Sequence, residues 1–556
     1  MSNSEATDLQ RFGLNHGKRI MCGLFCEPHD ARDSRVRQRR RTHNKTWDVL
    51  MKPSIALWAI LSCSAVPAAS VCDHDAIHTS GAVAAGDLGI TDFQNSGAPR
   101  AQRDFIRGLL LLHSFEYDAA RTAFQTAQRI DPTFAMAYWG EALTHNQTLW
   151  GEQDVVAARV ALAKLDATEE GRASKLSTPR ERDYFASVEL LYGSGEKALR
   201  DEKYSAALGA LARKYPDDLD ARSFYALSIL GLSGGHRDVA NYMRAAAEAE
   251  AVYDVDKHHP GALHYLIHAY DDPIHAPLGL RAARLYGKVA PAASHAQHMP
   301  SHIFFALGMW DDAIQANLTS LNIARAQGQG GYHSLLWLAY AYLQENRQKE
   351  AQQLIRSLAH DVGAGATKEN RIRLAYARAT WLVETRGAEG PDARLPVDSR
   401  GIAAIGYFTA HDFARGITAG ANMTDARTAL AQLRSRIEAA RAAVKGVMSD
   451  WHDTVTPEEL EHAGIMATAL EGTIQYYEGE RARGIALVRE AISTADHVAF
   501  EYGPPWSAKP LDELLGELLL KEGRREEAAA AFKKTLAVYP NRRLALDGLT
   551  AAVGAQ

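Results

Sequence analysis

Two histidine pairs dominate the chemistry that this sequence can offer. His264 and His268 stand four apart in PGALHYLIHAYDD, and His298 and His302 stand four apart in SHAQHMPSHIFF. Each member of the second pair follows its counterpart by 34 residues. Residues four apart share one face of a helix, so each pair presents two imidazoles side by side. A regular period of 34 puts the second pair at the same level of the neighbouring unit, and four imidazoles then converge on one surface. Imidazole suits zinc, copper, iron and nickel, and carboxylates can complete such sites. Asp271 and Asp272 are the nearest carboxylates, His295 and His333 the nearest further histidines, and His113 and His145 more remote candidates.

Other chemistries are poorly represented. The chain has no phosphate-cradling P-loop and no dinucleotide glycine fingerprint. Neither HYLIH nor HMPSH carries a glutamate after its first histidine, which argues against the peptidase chemistry in which that glutamate is the base. A metal with an open position would still activate water or oxygen, with Asp271 or Asp272 moving the proton. Pro300 lies inside the second pair and cannot donate the backbone bond that an intact helix needs. Either the helix kinks there, or it starts at Met299–Pro300 with His298 just outside.

The rest of the 556 residues must position these side chains. The net charge of −5 gives no reason to expect nucleic acid as a partner. The four cysteines, Cys22, Cys26, Cys63 and Cys72, all precede the regular part of the chain. They supply neither a disulfide framework nor a cysteine-based zinc site to its body. Residues 1–50 are polar with a basic run from Arg35 to Arg41, and read as a disordered extension ahead of the true start at Met51. Residues 51–70 have the charged start, apolar core (Ile55 to Leu61) and small-residue exit of a signal peptide. The expected location is therefore periplasmic or secreted. A lipoprotein attached through Cys63 fits less well, and a cytoplasmic location follows if the extension is genuine. The apolar run is too short to span a membrane. Residues 71–98 read as a linker.

From Pro99 the chain becomes helical and periodic. With Gly108 at a small position, Ala120, Phe124, Ala127 and Pro132 follow in RDFIRGLLLLHSFEYDAARTAFQTAQRIDP. Gly516, Ala528, Phe532 and Pro540 repeat these spacings near the other end. Degenerate units lie between, marked by Ala339, Tyr342 and Ala351, and by Gly472, Gly484 and Ala491. Here the chain resembles the tetratricopeptide-repeat family, in its exported bacterial form. The resemblance implies an all-α fold, an α-solenoid of helical hairpins. It divides into an array over 99–385 that carries the histidines, a loop at 386–401 and a second helical array over 402–556. With Ala313 at position twenty, His295, His298 and His302 occupy positions two, five and nine, and Gly261, His264 and His268 occupy them one unit earlier. In the family these positions line the concave groove. The resemblance thus implies that the histidines face the groove, with His333 at position two of the following unit.

Three functions follow as expectations. The first is a solenoid that holds a transition metal (copper, zinc or iron) through His264, His268, His298 and His302 and binds a protein or small ligand in its groove. The second is a metal-free scaffold for a protein or peptide. The third is a metal-dependent oxidase or hydrolase. In EYGPPWSAKPLDELLGE (501–517), Glu501, Trp506 and Lys509 are candidates for a lid over the groove, with Glu513 and Glu517 facing it.

Overall fold

The computed structural model describes residues 87–234, 237–442, 454–498 and 502–554. The expected extension 1–50, the expected signal peptide 51–70 and Glu501 lie outside these residues. What is described is all-α apart from a two-stranded ribbon pairing Asn146–Gln147 with Glu152–Gln153. Successive helices pack as antiparallel hairpins, giving an α-solenoid. No described helix is long and apolar enough to cross a membrane.

The spaced small and aromatic residues explain the hairpin packing. Gln102–His113 and Tyr117–Ile130 form the first hairpin, and Ala135–Leu143 opens the next. The buried ring of Phe124 is clamped between Gly108 and Gly140. A Cβ at either glycine would come within 2.8 or 2.4 Å of that ring. Phe532 repeats the device between Gly516 and Gly548, with 2.9 and 2.3 Å for the same test. One large ring between two missing side chains locks each unit to its successor, because interiors are packed close to crystal density.

Residues 87–98 are not a free linker. Leu88 and Phe93 are buried, and Phe93 packs on Phe105, Trp139 and Tyr184 with ring centroids 5.1–5.7 Å apart. Ser96 donates to Glu181, and the amide of Ala98 donates to Asp131. The small polar composition hid these two anchors. The loop at 386–401 is non-helical but only partly exposed, since Ala393 and Val397 are buried.

Residues far apart in sequence meet in two places. The helix Gln102–His113 packs on Pro260–Ala269, some 150 residues further along the chain. The C-terminal hairpins return to the middle of the chain. Asn541 donates to the Gly308 carbonyl at 3.1 Å, and the Trp310 indole donates to the Asn541 carbonyl at 2.9 Å. Beneath this seam Arg542 is wholly buried, with Glu384 at 2.7 Å, Glu513 at 2.6 Å and the Tyr340 hydroxyl at 2.6 Å.

Candidate metal centre

Both histidine pairs sit on short helices with fixed starts. Pro260 opens the helix Pro260–Ala269, and the His259 ring caps it by accepting the Ala262 amide at 3.3 Å. Every residue of this helix is buried. The second pair spans a break. Ser294–His298 and Pro300–Ala306 are separated by Met299, whose φ of −52° and ψ of −39° keep the path helical. Pro300 thus kinks the segment without ending it, and the four-apart geometry survives. In each pair the two Nε2 atoms face each other at 3.1 Å.

His264, His268, His298 and His302 are no more than 3% exposed. They lie in the interior instead of lining an open groove, because the turn after the first helix covers them. That turn, residues 114–116, supplies Phe115, whose backbone is left-handed with φ of 55°. Its ring packs against His264, His268 and His295 at 4.3, 5.7 and 5.7 Å. Glu116 accepts the His295 amide at 3.0 Å and so holds the start of the helix Ser294–His298. On the other side Trp337 lies 4.4 Å from His302 and 5.0 Å from His298.

The outer nitrogens are also committed. His264 Nδ1 donates to the His113 carbonyl at 2.6 Å. His302 Nδ1 donates to Asp271 at 2.5 Å. His298 Nδ1 donates to Asn317 Oδ1 at 2.7 Å, and the Asn317 amide is oriented by its own bond to the Ala313 carbonyl. His298 and His302 therefore each carry the proton on Nδ1, which leaves two Nε2 lone pairs pointing at each other. His295 Nε2 is buried with no hydrogen-bond partner. Burial holds the His264 ring down to about 3 and pushes His268, His295, His298 and His333 well below the ordinary range, with neighbouring rings adding to the effect. The rings are neutral at physiological pH, as metal ligation requires.

Among the described residues, three side-chain groups bring donors within 4.8 Å of one another: His264, His268 and His295; His298, His302 and His333; and His113, Asp220 and His259. His295 and His333 thus join the four pair histidines directly. Asp271 stands behind His302. His113 stands behind His264, with its Nε2 2.8 Å from Asp220 and its Nδ1 2.9 Å from the Tyr265 hydroxyl. Asp272 points elsewhere, to Arg237 and, at 2.7 Å, to His275. His145 is outside all three groups. Trp506 stacks on His462 at 4.2 Å, while Lys509 bonds Glu513 and Glu517 at 2.9 and 2.8 Å. The part of that segment that reaches the histidines is Tyr502, 5.2 Å from His302. Asn317 had a sequence signal that went unread. It lies four residues after Ala313, where Phe124 and Phe532 follow Ala120 and Ala528 in the end units. Phe115, Glu116 and Trp337 had none, since their neighbours are distant in sequence.

Residues 514–542 match the family model described as tetratricopeptide repeat. That stretch is a tetratricopeptide repeat. No curated protein matches the chain. Among solved structures, the human IFIT1 dimer with m7Gppp-AAAA is 12% identical with a TM-score of 0.35, over 83% of this chain and 90% of that one. Yeast Tom70 is 12% identical with a TM-score of 0.30, over 81% and 88%. The APC/C hetero-tetramer Cut9–Hcn1 is 11% identical with a TM-score of 0.34, over 83% and 78%. The repeat solenoid supports a protein-interaction scaffold, since stacked hairpins present extended surfaces.

Proposed function

We propose that this repeat protein is a transition-metal protein whose solenoid encloses a histidine site built on His264, His268, His298 and His302. One observation carries the reading. The Nδ1 protons of His298 and His302 are both used by acceptors, and their Nε2 lone pairs face each other at 3.1 Å in a buried place. Two unprotonated acceptors at that distance repel unless a cation lies between them. Tetrahedral ligands at about 2.0 Å from one ion are roughly 3.3 Å apart, so the spacing suits a shared ion. Asp271, Asn317 and the His113 carbonyl then act as outer partners that fix the ring tautomers. Such an ion would supply Lewis acidity or redox capacity, and the residues around it would orient the rings and exclude water.

Elemental analysis of the untagged full chain, beside a His264→Ala/His298→Ala variant, tests this. The expected result is bound copper, zinc or iron that is lost in the variant while the far-ultraviolet helical signal persists. A chain that stays metal-free after incubation with each ion removes the proposal, and the scaffold reading then stands alone. Export through residues 51–70 would make copper or zinc the available ions.

A further inference from the structure

The repeating element of the site is a triad. His264 and His268 occupy positions five and nine of one unit, and His295 holds position two of the next. His298 and His302 then occupy five and nine of that unit, and His333 holds position two of the one after. The third histidine follows the last of its pair by 27 residues in the first triad and 31 in the second, where QGQGG lengthens the connection. The fold therefore duplicates a three-imidazole site in adjacent units. A single four-imidazole site would leave His295 and His333 without a purpose, and His295 Nε2 is buried with no protein partner.

The distances agree with this division. Within the first triad, ring centroids lie 4.8 Å apart for His264–His268, 5.1 Å for His264–His295 and 6.4 Å across the wide edge His268–His295. Within the second, His298–His302 and His298–His333 are 4.9 and 4.5 Å apart. The triads meet at His268–His302, 5.7 Å, and His295–His298, 6.1 Å.

Each triad has one carboxylate behind it: Glu116 on the His295 amide and Asp271 on His302 Nδ1. Three imidazoles suit copper, zinc, iron or nickel.

Resting on the metal-binding reading above, we infer that the site holds a pair of transition-metal ions, His264, His268 and His295 binding one and His298, His302 and His333 the other. The test is anaerobic reconstitution of the chelator-stripped full chain with Cu(I) or, separately, Zn(II), followed by metal counting and X-ray absorption. The expected result is two ions of at least one of these metals per chain, each with about three nitrogen donors at about 2.0 Å. His295→Ala and His333→Ala each lower the count from two to one. One ion in the wild type, with its count unmoved by either substitution, overturns the pair but keeps the single four-histidine site. A chain that takes up neither ion overturns this inference and the metal-binding function together. Sulfur in the shell would place the metal on Cys22, Cys26, Cys63 or Cys72, and would overturn the histidine assignment.

Discussion

At the scale of the residue, the histidine group is defined by its hydrogen-bond partners as much as by its rings. Asp271 accepts from His302 Nδ1 at 2.5 Å, so it fixes the tautomer and strengthens the ring as a donor. Asp271→Asn should therefore weaken metal retention by about 10–100-fold with little change in helix content. Competition with a calibrated chelator measures this, and unchanged affinity would reduce Asp271 to a packing residue. Asp272, one residue further on, serves as the control. It bonds Arg237 and His275 away from the rings, so Asp272→Asn should leave affinity unchanged. The adjacency of two aspartates in sequence concealed opposite roles, because consecutive side chains leave a helix end in different directions.

At the scale of the element, each hairpin depends on an aromatic ring seated between glycines. Phe532 is wholly buried between Gly516 and Gly548. Phe532→Ala should cost about 3–5 kcal/mol by leaving a cavity. Gly548→Ala should cost about 1–3 kcal/mol by overpacking, since its Cβ would stand 2.3 Å from the ring. Chemical denaturation of both variants checks the pair, and a smaller loss for Phe532→Ala than for Gly548→Ala would contradict the clamp. The kink at Pro300 belongs to this scale too. Two short helices joined through Met299 give the same 3.1 Å Nε2 spacing as the unbroken helix Pro260–Ala269. The sequence left open whether the segment kinks or begins at the proline. Packing of Ile303, Phe304 and Phe305 into the core holds the path helical through it.

At the scale of the whole molecule, the buried Arg542 ties the C-terminal hairpins to Glu384 in the middle of the chain. Burial opposes ionisation of Glu513, yet Arg542 and Lys509 pull its carboxyl down to about 2. Arg542→Ala would remove the close partner of the buried Glu384, while Glu513 keeps Lys509 at 2.9 Å, and should destabilise by about 3–5 kcal/mol. Limited proteolysis should then release the C-terminal hairpins first; uniform digestion would show that the seam does not hold them. Acid should also destabilise the fold. Burial lowers the rings of His411 and His462 from 6.5 to about 4. The unfolded chain binds more protons than the folded one between those values, so stability present above about 6.5 is lost as pH falls toward 4. Glu459, raised to about 7 by burial, acts in the opposite sense. Urea midpoints from pH 7 to 4 should fall, and His411→Gln should flatten that slope; an unchanged slope would remove His411 from the acid response.

The amino-acid sequence by itself determined the local matters. The spacing of Gly108, Ala120 and Phe124, repeated at Gly516, Ala528 and Phe532, sets helix length, hairpin contact and hence the solenoid. The four-residue spacing of each histidine pair sets two rings on one helical face. These are short-range consequences of helical geometry and need no distant partner. Only the tertiary structure decided that the histidines are enclosed. Residues 113–116 reach His264 and His295 across some 150–180 positions, and that contact depends on superhelical curvature accumulated over many weakly patterned units. Packing between elements likewise adds His295 and His333 to the pairs, sets Asp271 apart from Asp272, and makes packed structure of residues 87–98, an apparent linker in sequence. No short window of sequence carries curvature, because it is a sum of small rotations between neighbouring hairpins.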